Sequence, residues 1–180
     1  MSRVLVITTS LRAKSNSDIL AEQLIAGAKA AGHEVKCVSL KGKTIGFCRG
    51  CLACQKTQKC VLNDDAAEIA EKVKNADTLV FVTPIYYYEM SGQMKTLLDR
   101  MNPLYSSDYR FRKVYMLSVA AEDEPFVPEK ALSGLKGWVD CFEKAELAGS
   151  LFCGGINEAQ EAAERSDDKH EASEFGKKLQ

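Results

Sequence analysis

The chain has 180 residues, enough for one domain that buries a single sizeable core. Apolar residues make up 46% and charged residues 27%, with a net charge of −1, which offers no basic surface to nucleic acid or to an anionic membrane. No apolar run approaches the ~18 residues of a membrane span, and the first one, Val4 to Ile7, is too short for a signal-peptide core, so the expectation is a cytoplasmic protein.

Val4-Leu5-Val6-Ile7 reads as a strand buried on both faces. Leu20, Leu24 and Ala28, with Ala21 and Ile25 beside them, make the apolar face of a first helix that Gly32 stops. Val35 to Leu40 is a second strand, more polar and so nearer a sheet edge. Residues 41–62 show no period and hold a cluster of cysteines. Asn63, Asp64 and Asp65 offer caps for a helix bearing Ala66, Ile69, Ala70 and Val73. Leu79 to Val82 is a third buried strand, ended by Thr83-Pro84 because proline lacks a ladder donor. Ser91 caps a helix with Met94, Leu97, Leu98 and Met101 at i, i+3, i+4, i+7. Val114 to Val119 is a fourth strand. A helix loosened by Gly134 and Gly137 follows, then a fifth strand from Leu147 to Cys153 and a last helix from Glu158 to Leu179.

Strand and helix thus alternate five times across one domain, residues 1–180, which predicts an α/β fold with a parallel sheet and helices on both faces. Ligands of such sheets bind at the carboxyl ends of the strands, at a topological switch point. The loop after the first strand, Thr8 to Ser17, has neither a dinucleotide nor a P-loop glycine pattern. It is dense in hydroxyls, opens a helix and carries Arg12. Ser10, Arg12, Ser15, Asn16 and Ser17 therefore suit a terminal phosphate, with simple helix capping as the competing reading.

S-x-R-x-x-S-N-S at Ser10–Ser17 resembles the phosphate loop of the NADPH-dependent FMN reductases, within the flavodoxin-like superfamily. The stretch Thr83-Pro84-Ile85-Tyr86, continuing through Ser91, Met94 and Lys95 to Asp99-Arg100, is similar to the T-P-[IV]-Y…S-x-x-[ML]-K…D-R segment of those proteins. The resemblance implies a flavodoxin-like, doubly wound five-stranded parallel sheet of order 2-1-3-4-5, FMN as cofactor and NAD(P)H as reductant. Pro84, Ile85, Tyr86 and Tyr87 would then offer the isoalloxazine a wall and backbone donors, with a core or subunit contact as the alternative for the tyrosines. Asp99 and Arg100 read as a helix-end ion pair. Backbone at Ala120 and Ala121 would face the ring's other side, although relatives often carry Thr, Cys or Gly there.

Four of seven cysteines, Cys48, Cys51, Cys54 and Cys60, lie within thirteen residues, counting from 48 to 60. Cytosolic thiols stay reduced, so metal or redox chemistry is favoured over a disulfide framework. The x₂ spacing resembles the start of a ferredoxin run. Zinc, free thiols and a disulfide remain as alternatives. The pattern is similar to that of the iron–sulfur flavoproteins, which implies a [4Fe–4S] cluster on these four residues. Cys37, Cys141 and Cys153 read as buried core thiols.

The function expected from this resemblance is an FMN-dependent oxidoreductase that passes electrons to a small-molecule acceptor (a quinone, an azo or nitro compound, or free flavin) or to a ferredoxin-like protein. The flavin carries the chemistry, so no catalytic acid, base or nucleophile is expected. The alternatives are a non-catalytic electron carrier and a thiol or metal sensor. Family members usually build the flavin pocket across a subunit interface, so a homodimer or homotetramer is expected, with Tyr88, Met90 and the cysteine loop taking part.

Overall fold

The computed structural model describes all 180 residues. Its elements in chain order are β1 (Arg3–Thr8), α1 (Asn16–Ala30), β2 (Glu34–Ser39), α2 (Ala53–Thr57), α3 (Asp65–Asn75), β3 (Thr78–Tyr86), β4 (Glu89–Met90), α4 (Gly92–Arg100), β5 (Lys113–Val119), α5 (Glu129–Val139), β6 (Glu146–Cys153) and α6 (Ser166–Lys177). The sheet runs β2-β1-β3-β5-β6 and these five strands are parallel; β4 pairs antiparallel with the end of β3. Counting parallel strands alone, this is the expected 2-1-3-4-5 order with one short strand added.

Alternation along each strand explains the two-layered core. Val4 and Val6 of β1, Val80 and Val82 of β3, and Tyr115 and Leu117 of β5 pack beneath α1 and α6. Leu5, Ile7, Leu79, Phe81, Val114 and Met116 point the other way, beneath α3, α4 and α5. The middles of the central strands are therefore apolar on both faces. The edge strand β2 is exposed at three positions, Glu34, Lys36 and Cys37, with only Val38 buried.

Local chemistry sets the helix starts. Ser15 Oγ accepts from Asp18 N–H at α1, Asp64 from Ala66 N–H at α3, and Ser91 from Met94 N–H at α4. Three expectations need correction. β3 does not end at Thr83-Pro84 but runs on to Tyr86, because Ile85 and Tyr86 find new partners in β4. The last helix starts only at Ser166, after a single 3₁₀ turn at Glu161–Ala163. Of the three isolated cysteines only Cys153 is buried; Cys37 lies exposed on the edge strand and Cys141 exposed just past α5. Burial and the nearby Asp168 and Glu171 push the Cys153 thiol up to about 12, which keeps it protonated and inert.

Asp77 joins the amino ends of β1 and β3. Its burial alone would raise its pKa, but bonds from Arg3 N–H (2.9 Å), Arg110 and the Arg3 side chain outweigh that and hold it at about 2. A carboxyl depressed in the folded state stabilises above its unfolded pKa, and this contribution fades as pH falls from about 3.8 toward 2. Asp77→Asn is therefore expected to lower stability near pH 7 and to flatten the acid limb of a urea-denaturation series in that window. An acid limb as steep as the parent's would refute this assignment.

Candidate functional site at the strand carboxyl ends

The connection after β1 passes to the α1 face of the sheet, whereas β3 leads to α4 on the opposite face. The crevice between these two loops is the switch point of the sheet. A closed hydroxyl network bridges it. Thr9 Oγ1 donates to Val82 O (3.1 Å) and lies 2.9 Å from Ser91 Oγ, while Thr83 Oγ1 lies 3.3 Å from Ser91 Oγ and accepts from Ser91 N–H at 3.1 Å. Thr9, Thr83 and Ser91 are fully buried. Along the sequence Thr83 and Ser91 mark only a strand end and a helix cap. Thr9 had no signal at all, because its partners are more than seventy residues away.

Of the five predicted phosphate-loop residues, Ser10, Ser15, Asn16 and Ser17 are buried and Arg12 is exposed. Ser15 caps α1. Asn16 spans to the chain's far end, donating to Glu158 O (2.7 Å) and accepting from Ala162 N–H (3.1 Å). Its side chain is thus committed to anchoring the loop. Arg12 reaches Asn157 O at 3.0 Å, and Ser10 Oγ accepts from Arg12 N–H. Ser17 Oγ has no partner in the chain, nor do the N–H groups of Asn16 and Ser17 in the first turn of α1. Those donors, with the helix's positive end, form a cradle for an anion.

Across the crevice, Tyr86 to Glu89 form a two-residue hairpin. Tyr87 and Tyr88 both take left-handed backbone, at φ 52° and 66°. That geometry is the tight hairpin turn usually built from Asn-Gly, and two tyrosines hold it only under strain. The surroundings over-determine it: Tyr88 OH donates to Glu122 (3.1 Å) and its ring stacks on Phe126. Tyr86 is half exposed and Tyr87 is 97% exposed, whereas Pro84 and Ile85 are partly covered. Met90, expected at a subunit contact, is buried in the core.

The loop after β5 reaches the same end of the sheet. Ala120 is buried and spends both backbone groups within the chain, its N–H on Cys153 O and its C=O on Ile156 N–H. Ala121 is exposed. Gly154 packs against this loop so closely that a Cβ would sit 2.5 Å from the Asp123 carboxylate and 2.6 Å from Glu122 O. Ser118, two residues before Ala120 near the end of β5, carries a buried hydroxyl with no partner.

The cysteine loop folds against the other end of α4. Cys48, Cys51, Cys54 and Cys60 line one pocket of about 20 Å³, room for a single water. Cys48 and Cys51 are exposed, Cys60 is partly covered and Cys54 is buried. No three Cys, His, Asp or Glu side chains converge closely enough here to ligate one metal ion. Gly50, Leu52 and Gln58 take left-handed backbone to wind the loop around this pocket. The expected Asp99–Arg100 pair is not made. Asp99 pairs with Lys95 at 2.7 Å, and Arg100 turns inward to Asp64, because consecutive helix residues face different directions.

Large apolar side chains lie exposed around the crevice: Leu11 at 49%, Phe47 at 80%, and the two hairpin tyrosines. Leu11 and Phe47 border a cavity of about 370 Å³ beside the first turn of α4. No helix is long and apolar enough to cross a membrane.

A family model described as NADPH-dependent FMN reductase matches residues 2–133. An iron–sulfur flavoprotein of Methanocaldococcus jannaschii is 34% identical over 102 residues, covering 57% of this chain and 53% of that protein. One from Methanosarcina thermophila is 27% identical over 158 residues, covering 86% of this chain and 83% of its own. With several of these curated relatives the match spans about half of the relative's length. Among solved structures, an NAD(P)H:quinone oxidoreductase from Methanothermobacter marburgensis superposes with a TM-score of 0.77 at 19% identity, covering 98% of this chain and 94% of that one. At that identity the likeness concerns the fold.

Proposed function

The chain belongs to the NADPH-dependent FMN reductase family, and from that premise we propose that it is an FMN-dependent oxidoreductase that draws electrons from NAD(P)H and passes them to an acceptor. One observation carries the reading: unpaired first-turn donors of α1 stand across the switch point from an aromatic hairpin. FMN needs both, an anion cradle for its phosphate and a flat wall for its ring. When bound, FMN would supply the two-electron chemistry between a reduced nicotinamide and the acceptor.

The chain's own residues bind and orient. Ser17 Oγ and the N–H groups of Asn16 and Ser17 would receive the phosphate, with Ser10, Ser15 and Arg12 around it, and Asn16 would hold the loop rather than touch the ligand. Pro84, Ile85, Tyr86 and Tyr87 would meet the ring. The spent backbone of Ala120 leaves Ala121 and the unpartnered Ser118 hydroxyl as the groups available on that side. The exposed Leu11, Phe47 and Tyr87 support a second copy of the chain covering this face, as a homo-oligomer. The acceptor class stays open between a quinone, an azo or nitro compound, free flavin and a ferredoxin-like protein.

The donor set of the cysteine pocket fits an iron–sulfur cluster, since four soft thiols line one cavity beside a buried cation. Cys48, Cys51, Cys54 and Cys60 would hold a [4Fe–4S] group. The pocket's free space is small, so its exposed edge at Cys48 and Cys51 is where the loop would give way. Such a group would supply one-electron transfer next to a two-electron cofactor.

Mixing the FMN-loaded protein anaerobically with NADPH and with NADH tests the reading. Bleaching of the flavin by at least one of them is the expected result. Reduction by neither, but readily by reduced ferredoxin, would replace the reductase with an electron carrier. Ser17→Asp should weaken FMN binding by roughly a hundredfold or more through charge repulsion with the phosphate. It should leave the fold intact, because an acidic residue in a helix's first turn is favourable.

A further inference from the structure

Arg100 is the largest fully buried side chain in the molecule. Asp64 accounts for much of its cost: Nη1 donates to Asp64 Oδ2 at 2.6 Å and to Gly46 O at 2.7 Å, and Nη2 donates to Asp64 Oδ1 at 2.9 Å. Nε is left over, buried and without an acceptor. An unsatisfied N–H on a buried cation calls for a partner. Arg100 lines the same pocket as the four thiols. Its cation is favoured first by the hydrogen bond to Asp64, and the nearby Cys60 favours it further.

A second donor reaches the pocket from two residues on. The Asn102 amide makes one side-chain hydrogen bond, and it goes to Cys54 Sγ at 3.2 Å. Cys54 is the buried member of the four. One N–H donor just past α4 therefore meets Cys54, and a second, still unpaired, lies in the wall of the same pocket as Cys60, while Cys48 and Cys51 face solvent. Hydrogen bonds to sulfur and local charge are the protein's means of setting the potential of an iron–sulfur group.

We propose that Asn102 and Arg100 are positioning residues of the cysteine site, giving N–H···S hydrogen bonds to Cys54 and Cys60 and so raising the reduction potential of an iron–sulfur group held there. The proposal rests on the cluster reading given above. It assigns the four cysteines unequal parts: the inner pair carries the tuning, and the outer pair sits at the solvent edge. It also gives α4 a double role, since its first residues follow the flavin hairpin and its last ones reach the thiols.

The test is anaerobic purification of the full chain, iron and sulfide assays, and a redox titration of the cluster followed by electron paramagnetic resonance. Asn102→Ala removes one donor and should lower the midpoint potential. At a fixed potential the reduced-to-oxidised ratio should fall on the order of tenfold, about 59 mV for one electron. Asn102→Asp, which places a carboxylate beside Cys54, should lower it further. Arg100→Lys keeps the charge for Asp64 but removes Nε; it should shift the potential in the same direction and serves if the Asn102 variants fail to fold. Full iron content with potentials equal to or above the parent's would overturn the assignment of Asn102 and Arg100 and leave the cluster standing. A parent protein without iron and sulfide would overturn the cluster reading itself, and this proposal with it.

Discussion

Gly176→Ala is expected to destabilise the protein by about 2–3 kcal/mol, even though alanine is the better helix former. α1 and α6 cross so tightly that each helix presents a glycine to the other's backbone. A Cβ on Gly176 would lie 2.0 Å from Leu24 O, and one on Gly27 would lie 1.9 Å from Ser173 O. Backbone carbonyls in mid-helix cannot rotate away, so the helices must separate. Alanine's propensity advantage of about 1 kcal/mol offsets only part of that cost. For a chain of this length the loss corresponds to a fall in melting temperature of roughly 4–12 °C. Thermal unfolding followed by circular dichroism decides it, and a raised melting temperature would show that the helices do not pack this closely. The consequence reaches the candidate site, because α1 begins in the loop after β1 and Asn16 ties that loop to the segment leading into α6.

Asp64→Ala should cost about 3–5 kcal/mol, because it strands a buried guanidinium without its counter-charge. The Arg100 side chain is fully buried and that of Asp64 is 12% exposed, so solvent cannot replace the partner. Asp64 also caps α3 through Ala66 N–H and accepts from Gly46 N–H at 2.9 Å, which fixes the entry to the cysteine loop. Arg100's hydrogen bond is the main reason its carboxyl lies below the usual range. The double variant Asp64→Ala/Arg100→Met should be more stable than Asp64→Ala alone, since it removes the orphaned charge. Urea denaturation of the parent, both single variants and the double variant measures the coupling. Additive losses would mean that the pair acts only as two separate caps. Limited proteolysis should cut the Asp64→Ala variant faster within residues 46–62.

Much of the architecture was legible along the chain. Val4–Ile7, Leu79–Val82 and Val114–Leu117 are continuous apolar runs because both faces of a central parallel strand are covered, and the mixed pattern of the second strand correctly marked an edge. Ser15, Asp64 and Ser91 announced their helices because capping is a contact between near neighbours in sequence. What escaped depended on partners far away. β4 has two residues and no periodic signal, and the turn at Tyr87 and Tyr88 lacks the glycine or asparagine that usually reports left-handed backbone. The inward turn of Arg100 toward Asp64, 36 residues earlier, left no trace in the Asp99-Arg100 pair as read locally. Cys37, Cys141 and Cys153 look alike as isolated thiols in regular elements, yet only the last is inside.

The sequence alone determined the alternation of strand and helix and the clustering of four cysteines in one short stretch, because both are set by composition and spacing over a few residues. Only the tertiary structure decided how those pieces meet: Thr9, Thr83 and Ser91 joined across the switch point, Asn16 committed to anchoring, Ala120's backbone already spent, and Arg100 with Asn102 turned toward the thiols. The reason is that hydrogen bonds and buried charges are satisfied by whatever partner the folded chain brings within about 3 Å, and separation along the sequence says nothing about that distance.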